Sequence, residues 1–406
     1  MPTLSDQLKA LGVQIGTQGL KPPEPKHPYA VERVIEGHLH ETACGPVFLV
    51  EKSLHLDTPH GCRTLHLDVP LQPVAVWAGD LRLAQYGPHA LCFLDIETTG
   101  LGGTGCYAFM VGAARYEEQR LHLTQFLMRD PAEEAAMLTA LADFVRPCQG
   151  LVTFNGKGFD VPVLEMRYRL NRMPSPLAGL AHLDLLPLAR RLWRDRLVSR
   201  ALGALETHIL GLPRSSQDVP GWLIPQMYIE YLRNGDARPL KSVFYHNETD
   251  VLSMVALLGL IAGQLSDPLH SATHPLDLVA MGKMHETLGE LDRAVSLYRQ
   301  GIDGGLPAET HHKVIERLAA IYKRQEAWAQ AVALWEQAAN NGQIYACIEL
   351  AKYYEHREKA YAPAIHWVEQ AIARVYAPDF PPTERPGLLP ELEHRLERLR
   401  RKAGLR

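Results

Sequence analysis

Asp95 and Glu97 stand two residues apart in Leu91-Cys-Phe-Leu-Asp-Ile-Glu-Thr-Thr-Gly-Leu101. In a β-strand alternate side chains share a face, so both acids would point one way and Leu94 and Ile96 the other. Like charges held this close repel, and one carboxyl must keep its proton unless a cation neutralises both. A divalent metal is the economical explanation, and all-oxygen ligation suits Mg²⁺ or Mn²⁺ better than zinc, which favours His and Cys. The plain alternative is a strand whose polar residues end in a solvated turn.

Further candidates lie downstream. Asp160 closes Asn155-Gly-Lys-Gly-Phe-Asp160, and Tyr245-His-Asn-Glu-Thr-Asp250 runs into an apolar stretch. If that last segment is helical, His246 and Asp250 share a face, offset by about 40°, while Tyr245 is turned away. A histidine one turn from a carboxylate can take a proton from a water, because its ordinary pKa lies near neutrality. Capping or simple exposure is the ordinary role of a lone histidine there. Lys157, between two glycines, could meet a phosphate together with neighbouring backbone N–H groups, or be merely exposed. Asp184 reads either as a supporting carboxylate or as a strand-end residue. Gly100, Gly102, Gly103 and Gly105 permit close backbone approach but do not form a P-loop.

The elements that must carry these groups follow in order. After the Asp95 strand come a hairpin of Tyr107 to Tyr116 and Leu121 to Met128, then a helix from Pro131 to Val145 with proline in its first turn. A strand at Leu151 to Phe154, a helix through Leu170, a strand near His182 to Leu185 and the His246 helix complete the series. Three antiparallel strands followed by crossover-linked ones give an α/β fold, a ribonuclease H-like mixed sheet with flanking helices.

Together, Phe93-Leu-Asp-Ile-Glu-Thr-Thr-Gly-Leu101, Phe154-Asn-Gly-Lys-Gly-Phe-Asp160 and His246-Asn-Glu-Thr-Asp250 resemble the three motifs of the DEDD superfamily of 3′–5′ exonucleases. The YprB-type ribonuclease H-like domain is more similar still. Its long signature resembles Leu202-Gly-Ala-Leu-Glu206, Ile209-Leu-Gly211, Pro220-Gly221, Tyr228 to Leu232, Gly235-Asp236 and His246-Asn247, and the resemblance covers about residues 91 to 262. It implies that Asp95, Glu97, Asp160 and Asp250 bind two Mg²⁺ or Mn²⁺ ions, that His246 is the general base, and that a single-stranded 3′ end of DNA or RNA is the substrate. Histidine-type members of that superfamily usually place the base five residues before the last Asp, and tyrosine-type members place Tyr four before. Here His246 holds the four-residue spacing and Tyr245 the five-residue one. The rival reading is a non-catalytic ribonuclease H-like scaffold that binds nucleic acid or protein.

Around this core, residues 1–89 read as a β-rich region, with bursts such as Gly45-Pro-Val-Phe-Leu-Val50 and Pro73-Val-Ala-Val-Trp77 taken as short strands. Its His38, His40, Cys44, His55, His60, Cys62 and His66 match no zinc spacing. Residues 90–265 form the ribonuclease H-like part, and 272–406 read as helices. Ala294-Val-Ser-Leu-Tyr-Arg-Gln, Ala331-Val-Ala-Leu-Trp-Glu-Gln and Ala364-Ile-His-Trp-Val-Glu-Gln begin 37 and 33 residues apart. That period resembles tetratricopeptide repeats, with an ordinary helical bundle as the alternative. Such repeats imply a protein partner or a surface that positions substrate.

Composition bounds the rest. The formal charge of −4 cannot coat nucleic acid with a uniform positive field, so such a partner must be gripped locally. Six scattered cysteines without a C-x-x-C pair fit a reducing, cytoplasmic setting. The start lacks the pattern of a secretory signal. The most apolar segment, Val251 to Gly263, is expected to be too short for a bilayer, which needs about 20 residues, so no membrane association is expected.

Overall fold

A computed structural model describes residues 28–100, 103, 105–213, 215, 217–272 and 274–405. It divides into two compact units, one comprising the described residues up to Ala189 with Ser199–Ser266, the other Arg190–Val198 with the described residues from Asp267 on.

In the first unit seven strands share one sheet: β1 (His38–Thr42), β2 (Gly45–His55), β3 (Leu91–Thr98), β4 (Ala108–Glu117), β5 (Arg120–Leu127), β6 (Gly150–Thr153) and β7 (Ala181–Asp184). They lie side by side as β1-β2-β5-β4-β3-β6-β7. The five strands from β1 to β3 in that order pair antiparallel, and β6 and β7 run parallel to β3. The expected mixed α/β sheet with flanking helices is therefore present. Residues 38–55 are not a separate body: β2 pairs along β5, so the N-terminal strands extend the same sheet.

Helices cover the sheet because its central strands are apolar on both faces. Leu91, Cys92, Phe93 and Leu94 are all buried, as a strand covered on both sides requires. The helices are α1 (Gln72–Ala78), α2 (Glu134–Val145), α3 (Asp160–Leu170), α4 (Leu185–Trp193), α5 (Ile224–Asn234) and α6 (Leu240–Ser266). Phe109 of β4 stacks on Tyr228 of α5 with centroids 3.9 Å apart, and the Tyr228 hydroxyl donates to the Met128 carbonyl at 2.9 Å.

Two expectations are corrected. Pro73 to Trp77 lies in α1 and not in a strand: Pro73 fits the first turn, and Gly79 ends the helix at φ 72°. The apolar run from Val251 belongs to the 27-residue α6, which is long and apolar enough to span a bilayer. However, 72% of its most apolar window is buried within the protein, so its apolarity is that of a core helix.

The second unit holds α7 (Pro275–Leu288), α8 (Leu291–Asp303), α9 (Ala308–Arg324), α10 (Trp328–Asn340), α11 (Ile344–His356), α12 (Tyr361–Tyr376) and α13 (Arg385–Lys402). Turns of a few residues join α7 to α8, α9 to α10 and α11 to α12, which forces antiparallel hairpins. Each turn carries a residue at positive φ, namely Gly289, Glu326 and Lys359. Five residues on in each case comes a fully buried alanine, Ala294, Ala331 or Ala364. The sequence repeat is thus a repeated hairpin whose small side chain lets the two helices close together.

Glu355, on α11, is almost completely buried and accepts from Arg398 at 2.7 Å, Lys402 at 2.9 Å and Arg395 at 3.4 Å, all on α13. This carboxylate ties the last helix to the repeat before it. Replacing one member of a fully buried ion pair costs about 3–5 kcal/mol, and partial solvation of these cations reduces that to about 2. Glu355→Ala should therefore lower the denaturation midpoint of the helical unit by circular dichroism, and an unchanged midpoint would deny the clamp its role.

Candidate active site

The acids of β3 sit where that strand leaves the sheet. Its pairing with β4 becomes irregular between Glu97 and Thr98, and Thr98 Oγ1 donates to the Gly100 carbonyl at 2.7 Å, folding the chain away. The period of two places Asp95 and Glu97 on one face. Asp160 opens α3, and Asp250 lies one turn along α6 from His246.

These groups feel one another. Burial holds the Asp95 carboxyl well above the usual range, and the Asp160 charge adds to the effect, against an opposing hydrogen bond from Asn247. Burial likewise raises Glu97, followed by the charges of Asp95, Asp250 and Asp160. Asp160 is pushed up to about 7 by burial, although backbone N–H groups pull the other way. Four acids from β3, α3 and α6 thus form one electrostatic cluster. As the side chains stand, among the described residues no three His, Cys, Asp or Glu are arranged to hold a metal ion. The donor set is nevertheless all carboxylate oxygen and disfavours its own negative charge, which fits a hard divalent cation.

His246 is held from both sides. Its Nδ1 lies 2.7 Å from Asp218 Oδ1, and its Nε2 lies 3.7 Å from Asp250 Oδ2. An ionised carboxylate only accepts, so Asp218 holds a proton on Nδ1, while Nε2 is turned towards Asp250. The loop bearing Asp218 continues to Gly221, where an added Cβ would stand 3.9 Å from His246 Nε2. Tyr245 instead lines a neighbouring cleft of about 220 Å³ with His60, Glu206 and Asp218.

The next residue, Asn247, fixes α6 to the sheet. Strand register puts Asp95, Gly112 and Gln125 side by side on β3, β4 and β5. A Cβ at Gly112 would overlap the Asn247 amide, which fills the gap that glycine leaves. There Asn247 donates to Asp95 Oδ2 at 2.9 Å and accepts from Gln125 Nε2 at 3.0 Å, while Gln125 also donates to the Phe244 carbonyl at 2.8 Å.

Asp184 is an anchor for the second motif. Its carboxylate accepts the backbone N–H groups of Asn155 at 2.8 Å, Lys157 at 3.1 Å and Leu186 at 3.0 Å. Asn155 has a φ of 67°, and this loop brings Asp160 to the cluster. The Lys157 side chain is exposed. Of the glycine-rich turn, Gly102 lies outside the described residues, and Gly103 adopts a φ of 89°.

One group lay beyond the reach of the sequence, and a second, Glu206, stands in the Leu202-Gly-Ala-Leu-Glu206 signature without a role assigned to it there. Asp218 precedes His246 by 28 residues in a loop, with no local spacing to betray it. Glu206 is buried in a turn of π-helix, Glu206–Leu210, and its charge reaches Asp95. The small hairpin Pro59–His60 with Arg63–Thr64 braces that turn, the Cys62 N–H donating to the Leu210 carbonyl at 2.7 Å. His60 meets Ser253 Oγ of α6 at 2.8 Å. The N-terminal histidines and cysteines form no metal-ligating group among the described residues.

Residues 92–262 match a family profile described as RNase_H superfamily, and the chain belongs to that superfamily, carrying an RNase H-like nuclease domain. It is also 33% identical over 324 residues to the uncharacterized protein YprB of Bacillus subtilis (strain 168), covering 78% of this chain and 76% of that protein.

Gly112→Ala should displace Asn247 and cost about 1–3 kcal/mol by overpacking, read as a lower midpoint for the first unit; a midpoint equal to wild type would show that the gap is not needed. Burial lowers His60 to about 4 from an ordinary 6.5. Its neutral form therefore supports the fold above pH 6.5, and that support is lost as pH falls towards 4. The first unit's midpoint should drop between pH 7 and pH 5, and His60→Asn should shrink the drop; an equal drop in the variant would contradict this.

Proposed function

We propose that the protein is a divalent-cation-dependent 3′–5′ exonuclease that hydrolyses phosphodiester bonds of single-stranded DNA or RNA. What supports this reading is that Glu97 feels the charges of Asp95, Asp250 and Asp160, from three elements, beside a histidine bonded to a carboxylate of its own. A fold alone has no use for such a cluster, because every member raises the cost of ionising the others.

RNase H-like nucleases usually work with divalent cations, and these four carboxylates would hold two Mg²⁺ or Mn²⁺ ions. When bound, such ions neutralise the phosphodiester, stabilise the leaving 3′ oxygen and make water a better nucleophile. The chain's own residues do the rest. His246 Nε2 is turned towards Asp250 of the cluster and, when unprotonated, its lone pair accepts the proton of the attacking water. Asp218 keeps that lone pair in place and stabilises the imidazolium that results. Lys157, exposed on the loop that carries Asp160, meets a backbone phosphate of the substrate strand. The hairpin repeats of the second unit are tetratricopeptide-like and recruit a protein partner or position the nucleic acid. Six unpaired cysteines suit a reducing cytoplasm.

Labelled oligonucleotides with Mg²⁺ or Mn²⁺ provide the test. Asp95→Ala and Asp250→Ala should each lose about a hundredfold or more in rate, as expected from removing several kcal/mol of electrostatic stabilisation. His246→Ala should lose about 10²–10⁴-fold, and Asp218→Asn should slow hydrolysis while leaving metal binding intact. Millimolar Mn²⁺ should raise the melting temperature of wild type and of His246→Ala, but not of Asp95→Ala. Undiminished degradation by both acid variants would defeat the reading. No melting shift in wild type would favour a scaffold that binds nucleic acid or protein.

A further inference from the structure

We infer that Trp222 is a stacking platform that holds a nucleobase of a single-stranded substrate against the wall of the candidate active site. The inference rests on the nuclease reading above and says how that site grips its substrate. Trp222 is 77% exposed, an unusual state for the largest apolar side chain. Two other large aromatic side chains are exposed among the described residues: Tyr29 lies beneath the Arg238 guanidinium at 3.7 Å, and Tyr376 belongs to the second unit.

Its position gives the exposure a meaning. Trp222 follows Gly221, the residue whose absent Cβ would stand 3.9 Å from His246 Nε2. The turn Gly221–Leu223 therefore passes over the edge of the imidazole that faces Asp250. That turn is anchored: the Leu223 N–H donates to the Pro220 carbonyl at 2.9 Å, and Ile224, fully buried, starts α5. An indole shown from an anchored backbone loses little freedom when a flat ring settles on it.

Electrostatics point the same way. Glu206, Asp218 and Glu248 line the cleft beside the four acids, and although Lys52 pairs with Glu248 at 2.5 Å and His246 with Asp218 at 2.7 Å, acids outnumber cations there and disfavour phosphates that no cation covers. A base is uncharged, and stacking on it is unopposed by that field. Every base has a π-face, so such a contact suits a nuclease that must accept each new terminal nucleotide in turn.

The test uses full-length His246→Ala protein, which keeps all four carboxylates and hydrolyses slowly, with Mn²⁺ and a 5′-fluorescent single strand read by anisotropy before the strand is degraded. Adding Trp222→Ala should weaken binding about tenfold, the usual loss of one stacked base. Trp222→Phe should restore most of the affinity and Trp222→Leu should not. A single abasic nucleotide walked in from the 3′ end should, at one position, weaken the parent as much as Trp222→Ala does and leave the Trp222→Ala protein unaffected. Equal affinity of parent and Trp222→Ala, or equal abasic penalties in both, overturns the platform while the nuclease reading stands. Failure of the parent to bind any strand overturns both.

Discussion

One side-chain amide joins the two halves of the candidate site. Asn247 lies in the space left by Gly112 and reaches Asp95 on one side and Gln125 on the other. Asp95 and Glu97 belong to the central strand of the sheet, whereas His246 and Asp250 belong to α6. Unless that helix docks at this height and rotation, the acids do not meet. A buried amide has two donors and an acceptor to satisfy, so a rotation of α6 by a single residue would strand it. Apolar packing along the rest of α6 is strong but tolerant of small shifts, and the amide removes that tolerance where the chemistry needs it.

Around this lock the protein spends its remaining polar contacts on orientation. Asp184 gathers backbone N–H groups from the start of the second motif's loop, at Asn155 and Lys157, and from Leu186 just beyond itself. Asp218 holds a proton on the histidine Nδ1. The hairpin at Pro59–Thr64 supports the π-helical turn that carries Glu206, and a side chain at Gly61 would collide with Leu210 there. None of these groups reduces the repulsion among Asp95, Glu97, Asp160 and Asp250. The scaffold holds them in place, and the hydrogen bonds that Asn247 and backbone N–H groups offer Asp95 and Asp160 do not offset the effect of burial.

How much of this the sequence discloses depends on distance along the chain. Asp95 and Glu97 are readable because a strand repeats every two residues, and His246 and Asp250 because a helix brings every fourth residue round. The order of strands and helices is readable for the same reason. Pro73 to Trp77 misleads because its valines suggest a strand, while the decisive signals, a proline at one end and a glycine at the other, are those of a short helix. Asp218 and Gly112 are invisible for a different reason. Asp218 meets its partner only through a loop of no fixed period, and the value of a missing side chain at Gly112 emerges only when three strands and a helix are laid together.

The N-terminal strands carry a consequence for how the molecule is made. β2 finds its partner in β5, some 70 residues later in the chain, and Cys62 reaches the Leu210 carbonyl and Ile209 across 147 positions. β1 and β2 can pair at once as a hairpin, but the other edge of β2 must wait for β5. Until then an apolar strand, Val47-Phe-Leu-Val50, is exposed with its edge open. The pairing that completes the sheet thus joins distant stretches of chain, and until it closes the hairpin offers an apolar edge to any strand that comes by.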